Sequence, residues 1–164
     1  MREPGVVDAN LASVGTKTLM KLLGVKSHPG LPTLPKGGLA VPPGVELPIP
    51  SWLTEEDLDY FASKFDKTGF TGGLNYYRAL DLSWELLGPW IGAKVTVPCK
   101  FVIGDTDLTY NTPGCKEYVQ GDDGLKRDVP FLREIVVMED TGHFINQERA
   151  DDISAQIIGF FRNY

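Results

Sequence analysis

Two apolar runs of strand length, VTVPCKFVIG at residues 95–104 and EIVVME at 134–139, constrain this chain more than anything else in it. Both are continuous and rich in β-branched residues rather than alternating, the pattern of strands covered on both faces. Residues 112–133 between them read as a loop or helical stretch long enough for the crossover that a parallel pair requires. The ending ERADDISAQIIGFFRNY then spaces Ile153, Ile157, Phe160 and Phe161 for an amphipathic helix. Strand, crossover, strand and helix make an α/β architecture with a parallel sheet, in which functional residues collect on the loops after the strands. Asp107, just beyond VIG, and His143, just beyond VVME, occupy those two places.

The first part of the chain reads as helical. Residues 8–23 carry Leu11, Leu19, Leu22 and Leu23 around a central glycine, which suits one or two short helices. Residues 29–50 hold seven prolines and four glycines, an irregular connector. Thr54 opens a T-E-E-D capping signature before a helix over 55–66, with Leu58, Phe61, Ala62 and Phe65 on its packed face. A GFTGG hinge then precedes a second helix over 74–87, with Tyr76, Leu80, Trp84 and Leu87 on one stripe and Tyr77 turned away. The expected division is a helical portion, 1–92, and a strand-containing portion, 93–164.

Composition excludes several functions. A net charge of −6 with no basic cluster beyond Lys126 and Arg127 gives no reason to approach nucleic acid or anionic lipid. No apolar run approaches the roughly 18 residues that span a bilayer, and the first residues lack a secretory apolar region. A soluble protein is expected, with the cytoplasm as default, since the ending RNY is not an S-K-L peroxisomal address. Cys99 and Cys115 have no metal-ligand spacing, so no metal or other cofactor is expected and the thiols suit a reducing compartment.

An aspartate that orients a histidine, with the histidine as general base, is the supporting part of a nucleophile–acid–base triad. Asp107 and His143 follow the chain order of such a triad, acid before histidine. Asp105 competes for the acid role within GDTDL, and its alternative is that of a turn residue bonding nearby amides. The nucleophile is missing: no serine lies in G-x-S-x-G, and no cysteine or aspartate follows a strand in a comparable tight turn upstream. No glycine-rich loop is placed to form an oxyanion hole either.

Residues 51–87, the stretch VPCKFVIGDTDLTYNTPGCKEYV and the ending GHFINQERADDISAQIIGFF closely resemble the C-terminal half of plant-type soluble epoxide hydrolases, with NYYRALDLSWEL specific to that group. The resemblance covers nearly the whole chain. It implies a partial α/β-hydrolase fold in which 1–92 supplies most of a helical cap and 93–164 the C-terminal part of the core. In such enzymes an aspartate opens the epoxide to an alkyl-enzyme ester while two cap tyrosines bind and protonate the epoxide oxygen. A histidine oriented by an acid then activates water against the ester. In register, Tyr77 matches the second cap tyrosine, Asp107 the orienting acid and His143 the base. Tyr76 is the rival of Tyr77, because adjacent helical residues point about 100° apart and one of them aims into a site. Trp84, Trp90 and Phe144 are candidates for an apolar pocket, with core packing ahead of substrate contact for each.

The H-G-x-P and H-D-W-G motifs and the first cap tyrosine of the family have no counterpart in these residues, so a truncated form inactive alone is expected. The implied substrate is a small apolar epoxide. Two further readings are a non-catalytic module that associates with copies of itself or a related hydrolase through an exposed sheet edge, and a dehalogenase-like hydrolase. Tyr77 argues against the last, since a leaving halide needs no proton.

Overall fold

In the computed structural model, which describes residues 3–24 and 46–163, glycine decides where the first helix stops. Helices α1 (Val6–Val14) and α2 (Thr16–Leu23) part at Gly15, whose φ of 85° strains any residue with a Cβ. Most of the proline-rich connector lies outside the described residues, and its last part, 46–50, forms neither helix nor strand. The described residues fall into two compact units, the first reaching Ile91 and the second beginning at Gly92.

In the first unit, α3 (Glu55–Thr68) begins as its sequence dictates. Thr54 Oγ1 accepts the Asp57 N–H (3.1 Å), and the Asp57 carboxylate accepts from the Thr54 N–H (2.9 Å) and O–H (2.7 Å). The Thr54 hydroxyl, and then its backbone N–H, hold the Asp57 carboxyl below its ordinary range. Leu19 and Leu58 are buried where α2 meets α3, and the buried Thr16 hydroxyl donates to Asp66 Oδ1 (2.7 Å).

The expected second helix is two helices. After Gly69 (φ 68°), Phe70 stacks on Phe65 at 5.2 Å, so α4 (Thr71–Arg78) starts earlier than expected and absorbs Gly72 and Gly73. It bends at Ala79, whose ψ is 0°, into α5 (Leu80–Leu86), followed by a 3₁₀ turn, Gly88–Trp90. Hydrogen bonding persists through the bend: Ala79 N–H reaches Asn75 O (2.9 Å) and Ala79 O accepts the Ser83 N–H (2.8 Å). Asp8 of α1 accepts from Arg78 (2.5 Å) and from the Thr71 hydroxyl (2.5 Å), which ties both ends of α4 to α1. The stripe of Tyr76, Leu80, Trp84 and Leu87 is exposed, contrary to the core packing expected for Trp84, because no described element of this unit covers it.

In the second unit, β1 (Cys99–Gly104) and β2 (Leu132–Met138) pair in parallel, with Gly104 opposite Met138. The crossover carries α6 (Cys115–Gln120) and α7 (Leu125–Asp128), and α8 (Ile145–Glu148) and α9 (Ala150–Phe161) follow β2. Tyr110, Val119, Val129, Met138 and Ile153 form the core of this unit. The first run enters the ladder only at Cys99, later than expected, since Pro98 has no N–H to give, and Val95 and Val97 are exposed.

Only Gly104 of β1 is buried, whereas full burial was expected. The sheet has two strands among the described residues, so each keeps an open edge. Asp105 N–H donates to Met138 O (3.0 Å). By alternation, the amides of Lys100 and Val102 therefore face away from β2. Lys100 and Val102 also line an apolar groove with Ile153, Ile157, Phe160 and Phe161 of α9. Among the described residues no helix is long and apolar enough to cross a membrane, and no group of three metal-ligating side chains assembles.

Candidate active site

The site is built from the two loops that leave the parallel strands side by side. After β1 the chain folds back at once, Asp107 N–H donating to Gly104 O (3.3 Å) and Asn111 N–H to Asp107 O (3.1 Å). Asn111 Nδ2 donates to the carbonyls of Asp105 and Asp107, both at 2.8 Å. Inside this turn, Asp107 Oδ1 accepts the N–H groups of Thr109 (2.5 Å) and Tyr110 (3.0 Å). One carboxylate oxygen is thus committed to the backbone, and the other is held in a single direction.

That direction is His143. Its Nδ1 lies 2.7 Å from Asp107 Oδ2, and the aspartate side chain is 7% exposed against 44% for the histidine. A carboxylate only accepts, so Nδ1 carries the proton and Nε2 is left as the acceptor. The imidazole also meets the Phe144 ring edge to face at 5.1 Å.

The two loops are braced through Thr141, which is fully buried. Its N–H donates to Asp105 Oδ1 (3.2 Å), and its carbonyl accepts from Thr106 N–H (3.1 Å) and Thr106 Oγ1 (2.8 Å). Asp105, the rival acid, is therefore spent on the backbone of the histidine loop. Gly142 N–H donates to both carboxylate oxygens of Glu148, at 3.1 and 3.0 Å. A half-exposed histidine with a buried carboxylate behind it and an Nε2 without a partner among the described residues is an arrangement that can take a proton from water.

No protein-family model matches the chain. It is 54% identical over 165 residues to Epoxide hydrolase 1 of Siraitia grosvenorii, a match covering 99% of this chain and 51% of that protein. Epoxide hydrolase A of Mycobacterium tuberculosis is 33% identical, over 97% of this chain and 49% of its own length. Among solved structures, an epoxide hydrolase from Vigna radiata superposes with a TM-score of 0.90 at 50% identity, over 99% of this chain and 51% of that one. Epoxide hydrolase I of potato, Solanum tuberosum, gives 0.84 at 45% identity over the same shares, 99% and 51%. The chain is homologous to half of a plant epoxide hydrolase. It spans about half the length of the relatives it matches, 51% of the first.

The homology bears out the partial α/β-hydrolase fold expected from the sequence. Of the residues singled out there, the structure brings Asp107 and His143 together and keeps Asp105 apart as a brace. Tyr77 stands on α4 of the first unit, 59% exposed, and its rival Tyr76 is 82% exposed. Trp84 and Trp90 are exposed rather than core, while Phe144 is half-buried against His143. Sequence reading missed Thr141 and Glu148. Neither lies at a spacing that local rules interpret, and each matters through a bond to backbone remote from its own helix or strand.

Proposed function

We propose that this chain carries the water-activating part of an epoxide hydrolase, with Asp107 orienting His143 and Tyr77 serving as a donor to the epoxide oxygen. The observation that carries the reading is the 2.7 Å contact between Asp107 and His143 in a chain 54% identical to a plant epoxide hydrolase. The nucleophilic aspartate belongs to the half of the relatives that these residues do not match. Its carboxylate forms a C–O bond to an epoxide carbon, the ring C–O bond breaks, and the alkoxide takes the proton of Tyr77. A phenol is a much stronger acid than the alcohol that the alkoxide becomes, so that transfer is favourable. Water then attacks the ester carbonyl and gives one proton to Nε2 of His143. The ester C–O bond breaks, the second proton of that water goes to the departing alkoxide, and the proton held by His143 returns to the Tyr77 phenolate, leaving a vicinal diol and the free carboxylate. Aromatic and aliphatic side chains exposed on α4 and α5 around Tyr77 favour an epoxide with apolar substituents.

The deciding experiment joins this chain behind the unmatched half of the Vigna radiata enzyme and supplies styrene oxide. Diol is expected, and His143→Ala is expected to stop turnover while the alkyl-enzyme ester accumulates, visible by mass spectrometry. Unchanged turnover in that variant would remove His143 from the reaction. The chain by itself is expected to form no diol.

The open edge of β1, flanked by the apolar groove on α9, favours a second role as an association surface. Sedimentation of the purified chain over a hundredfold range of concentration tests it. A monomer throughout would count against it.

A further inference from the structure

His143 reaches Asp107 through one side-chain bond, but the direction from which its ring sets out is decided by the backbone just before it. We propose that Glu148 is a positioning residue for His143, its carboxylate holding the Gly142 N–H and thereby the main chain from which the imidazole projects. The proposal rests on the acid–base reading of Asp107 and His143 given above.

Three observations carry it. Gly142 is buried and its N–H donates to both oxygens of Glu148, at 3.1 and 3.0 Å. Glu148 closes α8, where the N–H groups of Gln147 and Glu148 converge on Phe144 O at 2.8 and 2.9 Å, so the carboxylate sits on a tight turn. Gly142 also leaves room for the approach, since a Cβ there would lie 2.7 Å from Glu148 Oε1.

The residue before it, Thr141, is fastened on the other side by Asp105 and Thr106. The backbone entering His143 is therefore held from both loops, while the ring itself is held by Asp107 and flanked by Phe144. Without Glu148 the buried Gly142 N–H has no acceptor among the described residues, and a lost bond to a charged group drives the loop to rotate until it finds one. Rotation there swings the His143 Cβ away from Asp107.

The chain contains two histidines, so imidazole ¹⁵N–¹H spectra are simple, and a His28→Ala variant assigns them. Wild type is expected to show His143 as the Nδ1–H tautomer with a slowly exchanging proton. Glu148→Gln keeps an acceptor oxygen and is expected to preserve that signature. Glu148→Ala is expected to exchange the proton about tenfold faster and to populate the Nε2–H tautomer, with helix content unchanged. A Glu148→Ala protein with the wild-type tautomer and exchange rate overturns the proposal.

Should that variant not fold, the wild-type Gly142 amide still decides. An amide protected against exchange supports the assignment, and one that exchanges freely overturns it. A protected Gly142 amide in a wild type without the Nδ1–H tautomer instead overturns the acid–base reading, and this positioning role with it.

Discussion

The carbonyl oxygen of Thr141 sits where a side chain on Gly104 would have to go: a Cβ there would lie 2.1 Å from it and 2.6 Å from the carbonyl oxygen of Gly142. Both neighbours are backbone, which cannot swing aside as a side chain can. Gly104→Ala is therefore expected to push the two site loops apart and destabilise the chain by about 3 kcal/mol, at the upper end of ordinary overpacking. Urea unfolding measures the loss, and the His143 Nδ1 proton should exchange faster in the same variant.

Asp107→Asn tests the tautomer. The Thr109 and Tyr110 N–H groups hold an oxygen at the Oδ1 position, which turns the new amide nitrogen towards His143. A donor facing Nδ1 forces the ring proton onto Nε2, the atom that has to receive a proton from water. In the joined enzyme described above, ester hydrolysis is expected to fall by ~10⁴-fold. Ester formation should survive, and rapid-quench measurement of both steps separates them.

Tyr77→Phe and Tyr76→Phe distinguish the two tyrosines of α4. Both side chains are more than half exposed, so neither change should disturb folding. Loss of the proton donor is expected to slow ester formation by about 10²-fold in Tyr77→Phe, with little change in Tyr76→Phe. Single-turnover kinetics with styrene oxide give the answer, and equal losses in the two variants would withdraw the assignment to Tyr77.

The Thr54–Asp57 cap predicts an acid dependence with a definite sign. Asp57 titrates below its ordinary 3.8 in the folded chain, chiefly because the Thr54 hydroxyl donates to it. Its contribution to stability is thus complete above the ordinary carboxylate value and is lost as pH falls through the depressed folded value. Thr54→Ala should cost about 1 kcal/mol of unfolding free energy at neutral pH. It should also return the Asp57 titration towards its ordinary position, which carboxyl ¹³C shifts report.

What could be read from the sequence divides by range. The cap at Thr54, the glycine break at Gly15 and the parallel pair each depend on a few neighbouring residues or on a period, and all three are present. The nearness of Asp107 and His143 was legible because each follows a strand of a parallel pair, which brings the two exit loops side by side. The bend at Ala79 carries no proline or glycine to announce it. Trp84, expected in a core, is exposed, because a helical period records which face is apolar and not whether anything covers it. Glu148 was invisible for a further reason: its partner is a main-chain N–H six residues away, and backbone groups leave no mark in a sequence.

Every hydrogen bond described for Asp107 and His143, and for the threonine and glutamate that brace their loops, comes from residues 104–149. Among the described residues, then, the proposed base and its orienting acid are held by one strand pair and its two exits alone. On the proposed reading, a polypeptide bearing that pair readies the histidine for water before any nucleophile has been brought opposite.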